Sequence, residues 1–103
     1  MNLKLLRKLK LSMLQGVAMK INNNIIYRFE STLEEGVLFI FDIKHYKTYK
    51  GSNLEHYILR QIDNGADVTE IIDSIYNEYH IENCRENIEM LIEDFANKGI
   101  IVI

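Results

Sequence analysis

His80 and Cys84 stand four residues apart, with His56 elsewhere in the chain. That spacing would bring two side chains together on one helical turn. Two soft ligands with no further cysteine or histidine nearby make a poor zinc site, since zinc takes three or four protein ligands. Cys84 lies near a predicted helix N-terminus, where a thiolate is favoured. A nucleophile also needs an oriented base, and no third group is identified to orient His80. The expected role of Cys84 is a small apolar contact. The 15 Asp and Glu residues fall at capping and surface spacing rather than as an acid/base pair. None of the five glycines belongs to a phosphate-cradling loop. These residues predict no catalytic site, no metal and no resident cofactor.

The chemistry to explain is therefore binding, and charge is its first clue. The net charge is −3, unevenly spread. Met1 to Phe29 holds six basic residues (Lys4, Arg7, Lys8, Lys10, Lys20, Arg28) and no acid, whereas the rest holds 15 acids and six bases. Such asymmetry marks a contact between the halves or with an outside surface. Leu6, Leu9, Met13 and Val17 follow a 3-4-4 spacing, which predicts a basic amphipathic helix over residues 3–15. It would pack on the acidic remainder of the fold or on a second copy, with a membrane surface as the less favoured contact. The basic residues are interspersed among the leucines and Gln15-Gly16 interrupts them, so no secretory signal is expected. No apolar run approaches 18 residues. A single cysteine excludes an intramolecular disulfide. A cytoplasmic protein is expected, with residues 1–22 as a basic segment and 23–103 as one folded domain.

The elements that would position a binding surface follow from periodicity. Asn22-Asn23-Asn24 is a turn cluster, and Ile25 to Glu30 reads as a strand with Ile25, Tyr27 and Phe29 on one face. Val37 to Phe41 is continuously apolar, as for a central strand covered on both faces. His45 to Lys50 is a weaker third strand dotted by Lys47 and Lys50, with Lys44 on its approach. Lysines commonly protect an open sheet edge, which places this strand at one. Three helices follow, each opened by a capping side chain three residues before a glutamate: Ser52…Glu55, Asp67…Glu70 and Asn83…Glu86. They are predicted over about 53–63, 68–79 and 84–98. Leu54, Tyr57, Ile58 and Ile62 face inward from the first, and Val68, Ile71, Ile72, Ile75, Tyr76 and Tyr79 from the second. Ile88, Leu91, Ile92 and Phe95 do so from the third. The apolar end Ile100 to Ile103 must pack, pair as a strand or meet another chain. The fold class is α+β: a small three-stranded antiparallel sheet followed by a three-helix bundle, winged helix-turn-helix-like.

That shape invites nucleic-acid binding, but the charges oppose it. A reading helix needs Lys, Arg, Asn or Gln toward base edges and cations against phosphate. The second helix carries Glu70, Asp73 and Glu78 without a lysine or arginine, and the third carries Glu86, Glu89, Glu93 and Asp94 against Arg85 and Lys98. A winged-helix transcription factor and an adaptor working through the N-terminal helix remain alternatives.

Several short stretches stand in a telling order: Val37-Leu38-Phe39-Ile40-Phe41-Asp42, Tyr46-Lys47-Thr48-Tyr49, and Asn53 with Ile58-Leu59. Ile62-Asp63-Asn64-Gly65 then precedes Val68-Thr69-Glu70-Ile71-Ile72, followed by Tyr79, Phe95 and Gly99-Ile100. In order and spacing they resemble the PqqD-like family, also called RiPP recognition elements. Lys50-Gly51-Ser52-Asn53 departs from the Leu-Asn and threonine that often enter the family's first helix, and the basic N-terminal segment lies outside the usual pattern. The resemblance implies a non-catalytic domain that binds the leader segment of a ribosomally made precursor peptide and presents it to a modifying enzyme. That maturase is frequently a radical SAM enzyme, whose cofactors would reside there and not here. It implies an extended peptide adding to the third strand, with pockets between that strand and the third helix. Here these are Tyr46, Thr48 and Tyr49 opposite Ile88, Leu91, Ile92 and Phe95, with Lys47 and Lys50 suited to an acidic leader. Tyr46 and Tyr49 fall on opposite strand faces, and some of the helix positions would serve only the core. The apolar tail and basic helix leave room for a homodimer.

Overall fold

The computed structural model describes residues 18–33, 35–80 and 84–103. Its first element was not visible as a pattern: β1 (Lys20–Ile21) is two residues long and pairs antiparallel with β5 (Ile101–Val102), the apolar end of the chain. The Asn22 backbone N–H donates to the Ile100 carbonyl and its side-chain amide to the Gly99 carbonyl. Met19 is buried, so the packed unit includes residues before position 23. The predicted helix over residues 3–15 lies outside the described residues.

The main sheet is an antiparallel meander of β2 (Ile25–Glu30), β3 (Val37–Asp42) and β4 (Lys47–Gly51), with β3 central. Alternation sorts its faces. Ile25, Tyr27 and Phe29 of β2 register with Asp42, Ile40 and Leu38 of β3, and Ile40 and Leu38 in turn with Tyr49 and Gly51 of β4. This face meets the helices, where Leu38 and Ile40 are almost wholly buried. Val37, Phe39 and Phe41 point the other way; Phe41 is exposed and the other two are half-buried. The expectation that β3 is covered on both faces is thus corrected. Of its outward aromatics Phe39 is partly shielded by a neighbour in the sheet, the Lys50 ammonium 5.8 Å from its ring centroid.

Helices α1 (Asn53–Asp63), α2 (Val68–Tyr79) and α3 (Arg85–Asn97) follow. Full capping boxes open the first two, Ser52 with Glu55 and Asp67 with Glu70. At α3 the cap position is Cys84 with no side-chain bond, and Asn83 lies outside the described residues. Ile58, Leu59 and Ile62 of α1, Val68, Ile71 and Ile75 of α2, and Ile88, Ile92 and Phe95 of α3 form the core with Leu38, Ile40, Ile100 and Ile101. Leu59, not assigned inward from the spacing, is fully buried. Tyr76 and Tyr79, expected inward, are exposed by 48% and 44%. Tyr79 instead lies edge-on to Tyr57, which bonds Ser74 through its hydroxyl.

Candidate peptide-binding edge

Asp42 shapes the approach to β4. Its carboxylate accepts from the backbone N–H groups of Lys44 and His45 and from the Asn24 amide at 2.7 Å, and its other oxygen lies 2.8 Å from His45 Nδ1. Burial alone would push the Asp42 pKa up, but the bonds from Asn24 and His45 outweigh it and bring the value down to about 2. The turn so tied extends to Tyr46, which adopts a left-handed backbone with φ of 56°. His45 and Tyr46 therefore sit in the turn rather than the strand, which begins at Lys47. Tyr46 is 95% exposed at the corner.

Among the described residues β4 pairs only with β3, which leaves it at a margin of the sheet. β2 is the other margin, with its inner face against α1: the Tyr27 hydroxyl donates to Asp63 and the Phe29 ring stacks on His56. Burial, and secondarily the Arg60 charge, holds His56 below the usual histidine value. β4 packs on α1, which follows it, and is also reached by Lys98, the residue that ends α3. The Lys98 ammonium lies 5.2 Å from the Tyr49 ring centroid and pairs with Asp94 at 2.8 Å. Half-buried Leu91, one helical turn before Asp94, shares that side of α3.

The residues expected to form the groove divide accordingly. Lys47 and Tyr49 lie on the helix-facing side of β4, while Thr48 and Lys50 register with Phe41 and Phe39 on the outward face. Tyr49 and Leu91 offer partly accessible apolar surface beside the edge. Ile88, Ile92 and Phe95 are 1%, 0% and 2% exposed, so they support the wall from within the core and present no surface to a partner. Sequence reasoning missed Asp94 and Lys98. Both look like ordinary surface charges, and only the approach of α3 to Tyr49 singles them out.

The other candidate chemistry is dispersed. His80 caps the end of α2 in a left-handed conformation and Cys84 precedes α3, so the two do not share one helical turn. Cys84 packs against the core. No group of three or more His, Cys, Asp and Glu residues is placed to hold a metal among the described residues, and no described helix is long and apolar enough to cross a membrane.

A three-stranded meander followed by three helices is a fold that can be compared with those of known proteins. Residues 56–101 match the family described as Coenzyme PQQ synthesis protein D (PqqD). The resemblance read from the motifs holds over that stretch. Two solved structures share the fold. One, TbiB1 in complex with the TbiA(beta) leader peptide, superposes with a TM-score of 0.65 at 17% identity, covering 80% of this chain and 93% of that one. The other, lasso peptide synthetase B1 complexed with the leader peptide, gives 0.67 at 15% identity, covering 84% and 100%. Among curated proteins none matches in sequence.

Proposed function

We propose that this protein is a non-catalytic chaperone that captures the leader segment of a ribosomally made precursor peptide and presents it to a modifying enzyme. One observation carries the reading: β4 is a sheet margin whose Tyr49 is met by Lys98 from the end of α3, in a fold shared with two solved proteins that are complexed with leader peptides. The extended leader adds to β4 as a fourth strand. Each backbone hydrogen bond contributes only about 0.5–1.5 kcal/mol net, so side chains must supply selectivity. Tyr49 and Leu91 receive an apolar leader side chain, and Lys47 and Lys50 favour acidic residues around it. The domain raises the local concentration of substrate at its partner enzyme and performs no bond chemistry itself. The partner is a peptide maturase, for which a radical SAM enzyme follows from the PqqD resemblance. A cytoplasmic site of action fits substrates made on ribosomes. The binding unit is taken to start at Met19, because that side chain is part of the core.

Nucleic-acid binding is disfavoured by the same surface. α2 has no lysine or arginine, and α3 shows Glu86, Glu93 and Asp94 outside its core face.

The test is titration calorimetry with a synthetic leader taken from a short precursor encoded beside this protein. Saturable binding is expected, lost in Leu91→Glu and in Thr48→Pro. Unchanged affinity in both variants rejects the β4–α3 edge, and absence of binding to the native chain rejects the function.

A further inference from the structure

The turn between β3 and β4 holds a residue that local backbone chemistry would not choose. Tyr46 has a φ of 56°, a left-handed conformation that glycine and asparagine adopt with least strain and a bulky residue rarely does. The other described residue with a side chain and positive φ is His80, which ends α2, where that conformation commonly closes a helix. Nothing among the described residues compensates Tyr46. It is 95% exposed, and its side chain makes no hydrogen bond, ring contact or ion pair with any of them. Its surroundings are apolar and basic. Ile43 is 56% exposed in the same turn, and Phe41 and its cross-strand neighbour Ile26 are exposed at the same end of the sheet. Lys44 and Lys47 stand on either side of the tyrosine, both exposed. The one acid between Phe41 and Gly51 is Asp42, which is buried and bonded to Asn24 and His45. A strained, solvated aromatic beside apolar and cationic side chains has the make-up of an interface anchor.

We propose that Tyr46 anchors this domain to its modifying enzyme, entering an apolar pocket bordered by carboxylates, with Ile43 at the pocket's rim and Lys44 paired to an acidic side chain. This contact rests on the leader-binding reading above and deepens it, since it is how the loaded domain meets its partner. Position separates it from the leader's contacts. Tyr46 precedes β4 and lies off the ladder that a leader strand would extend, whereas Tyr49 lies within the strand. An enzyme held at the tip stands at one end of the bound segment, where the peptide leaves the edge to reach an active site. Charge favours an acidic protein surface. Lys44 and Lys47 form no ion pair among the described residues, and Asp42 is already engaged, so no carboxylate of the tip competes for them. Nucleic-acid phosphate would match the lysines but leave Ile26, Phe41 and Ile43 uncovered.

The test measures two affinities of the full chain by interferometry, one for the synthetic leader and one for the purified peptide-modifying enzyme encoded beside this protein. Tyr46→Asn suits the left-handed backbone, so its melting temperature should equal or exceed the native one. Its leader affinity should stay within about twofold of native while its enzyme affinity falls at least about tenfold. Tyr46→Phe keeps the ring and should hold enzyme affinity within about threefold. Lys44→Glu should weaken enzyme binding mainly through the association rate. Equal losses for leader and enzyme in Tyr46→Asn would make the tyrosine a leader contact and overturn the proposal. Unchanged enzyme affinity or a lowered melting temperature in that variant would overturn it too. So would self-association, or retention of duplex DNA, that the native chain shows and Tyr46→Asn loses, since either gives the anchor another partner. A native chain that binds the leader but not the enzyme overturns the anchor and leaves leader capture standing. One that binds the enzyme through Tyr46 but not the leader supports the anchor and rejects leader capture.

Discussion

Asp42 concentrates more structure than any other single side chain of the sheet. One buried carboxylate orders the β3–β4 turn, holds Asn24 at the start of β2 and engages His45. In an unfolded chain the group protonates near 3.8, and in the folded protein at about 2. The folded state therefore binds the proton later, and the stability it confers is complete above about pH 4 and lost as pH falls toward 2. Urea melts between pH 5 and 2 should show this acid loss in the native chain, and a smaller one in Asp42→Asn, which is already less stable at neutral pH. Parallel losses in the two proteins would assign the acid sensitivity elsewhere. Leu91 and Ile92 make the other instructive pair, adjacent in sequence and opposite in role. Ile92→Ala opens a cavity in a fully buried site and should cost about 2–5 kcal/mol in chemical denaturation. Leu91→Glu should leave stability within roughly 1 kcal/mol and weaken leader binding more than tenfold, about 1.4 kcal/mol.

At the scale of elements, the capping boxes show what local pattern secures. Ser52 and Asp67 both form the reciprocal bonds anticipated from their spacing to Glu55 and Glu70. Asp67→Ala should destabilise the protein by about 1 kcal/mol in thermal or urea melts. Gly36 is set by contact between elements. It has a φ of 99°, and a Cβ there would overlap the Phe29 ring. Gly36→Ala should therefore shift the loop between β2 and β3 and lower the melting temperature, whereas alanine at Gly65, which also has positive φ but open space around it, carries only the backbone strain. The edge itself is tested by amide exchange. On leader addition, N–H groups of β4 should gain protection while those of β2 do not.

For the whole molecule, charge distribution separates the competing uses of this shape. A leader seated by backbone pairing and apolar contact should lose less than about tenfold in affinity between about 50 and 200 mM salt, where a multi-phosphate contact loses about a thousandfold or more. Duplex DNA should not bind at either salt concentration. A comparable drop for the leader would mean that the lysines, rather than the edge, dominate recognition.

Periodicity, turn chemistry and caps determined the meander, its central strand, the lysine-marked margin and the three helices, because each depends on neighbours within a few residues. The apolar end Ile100 to Ile103 left strand pairing open, but its partner β1 is two residues long and carries no period. Tertiary structure decided the finer assignments. It buried Ile88, Ile92 and Phe95 in the core, left Tyr76 and Tyr79 on the surface, and placed Lys98 over Tyr49. A helical spacing marks which residues share a broad face. Which part of that face meets the core and which part borders a neighbouring strand is set by how the helix is rotated and seated on the sheet, a long-range packing outcome with no local signature.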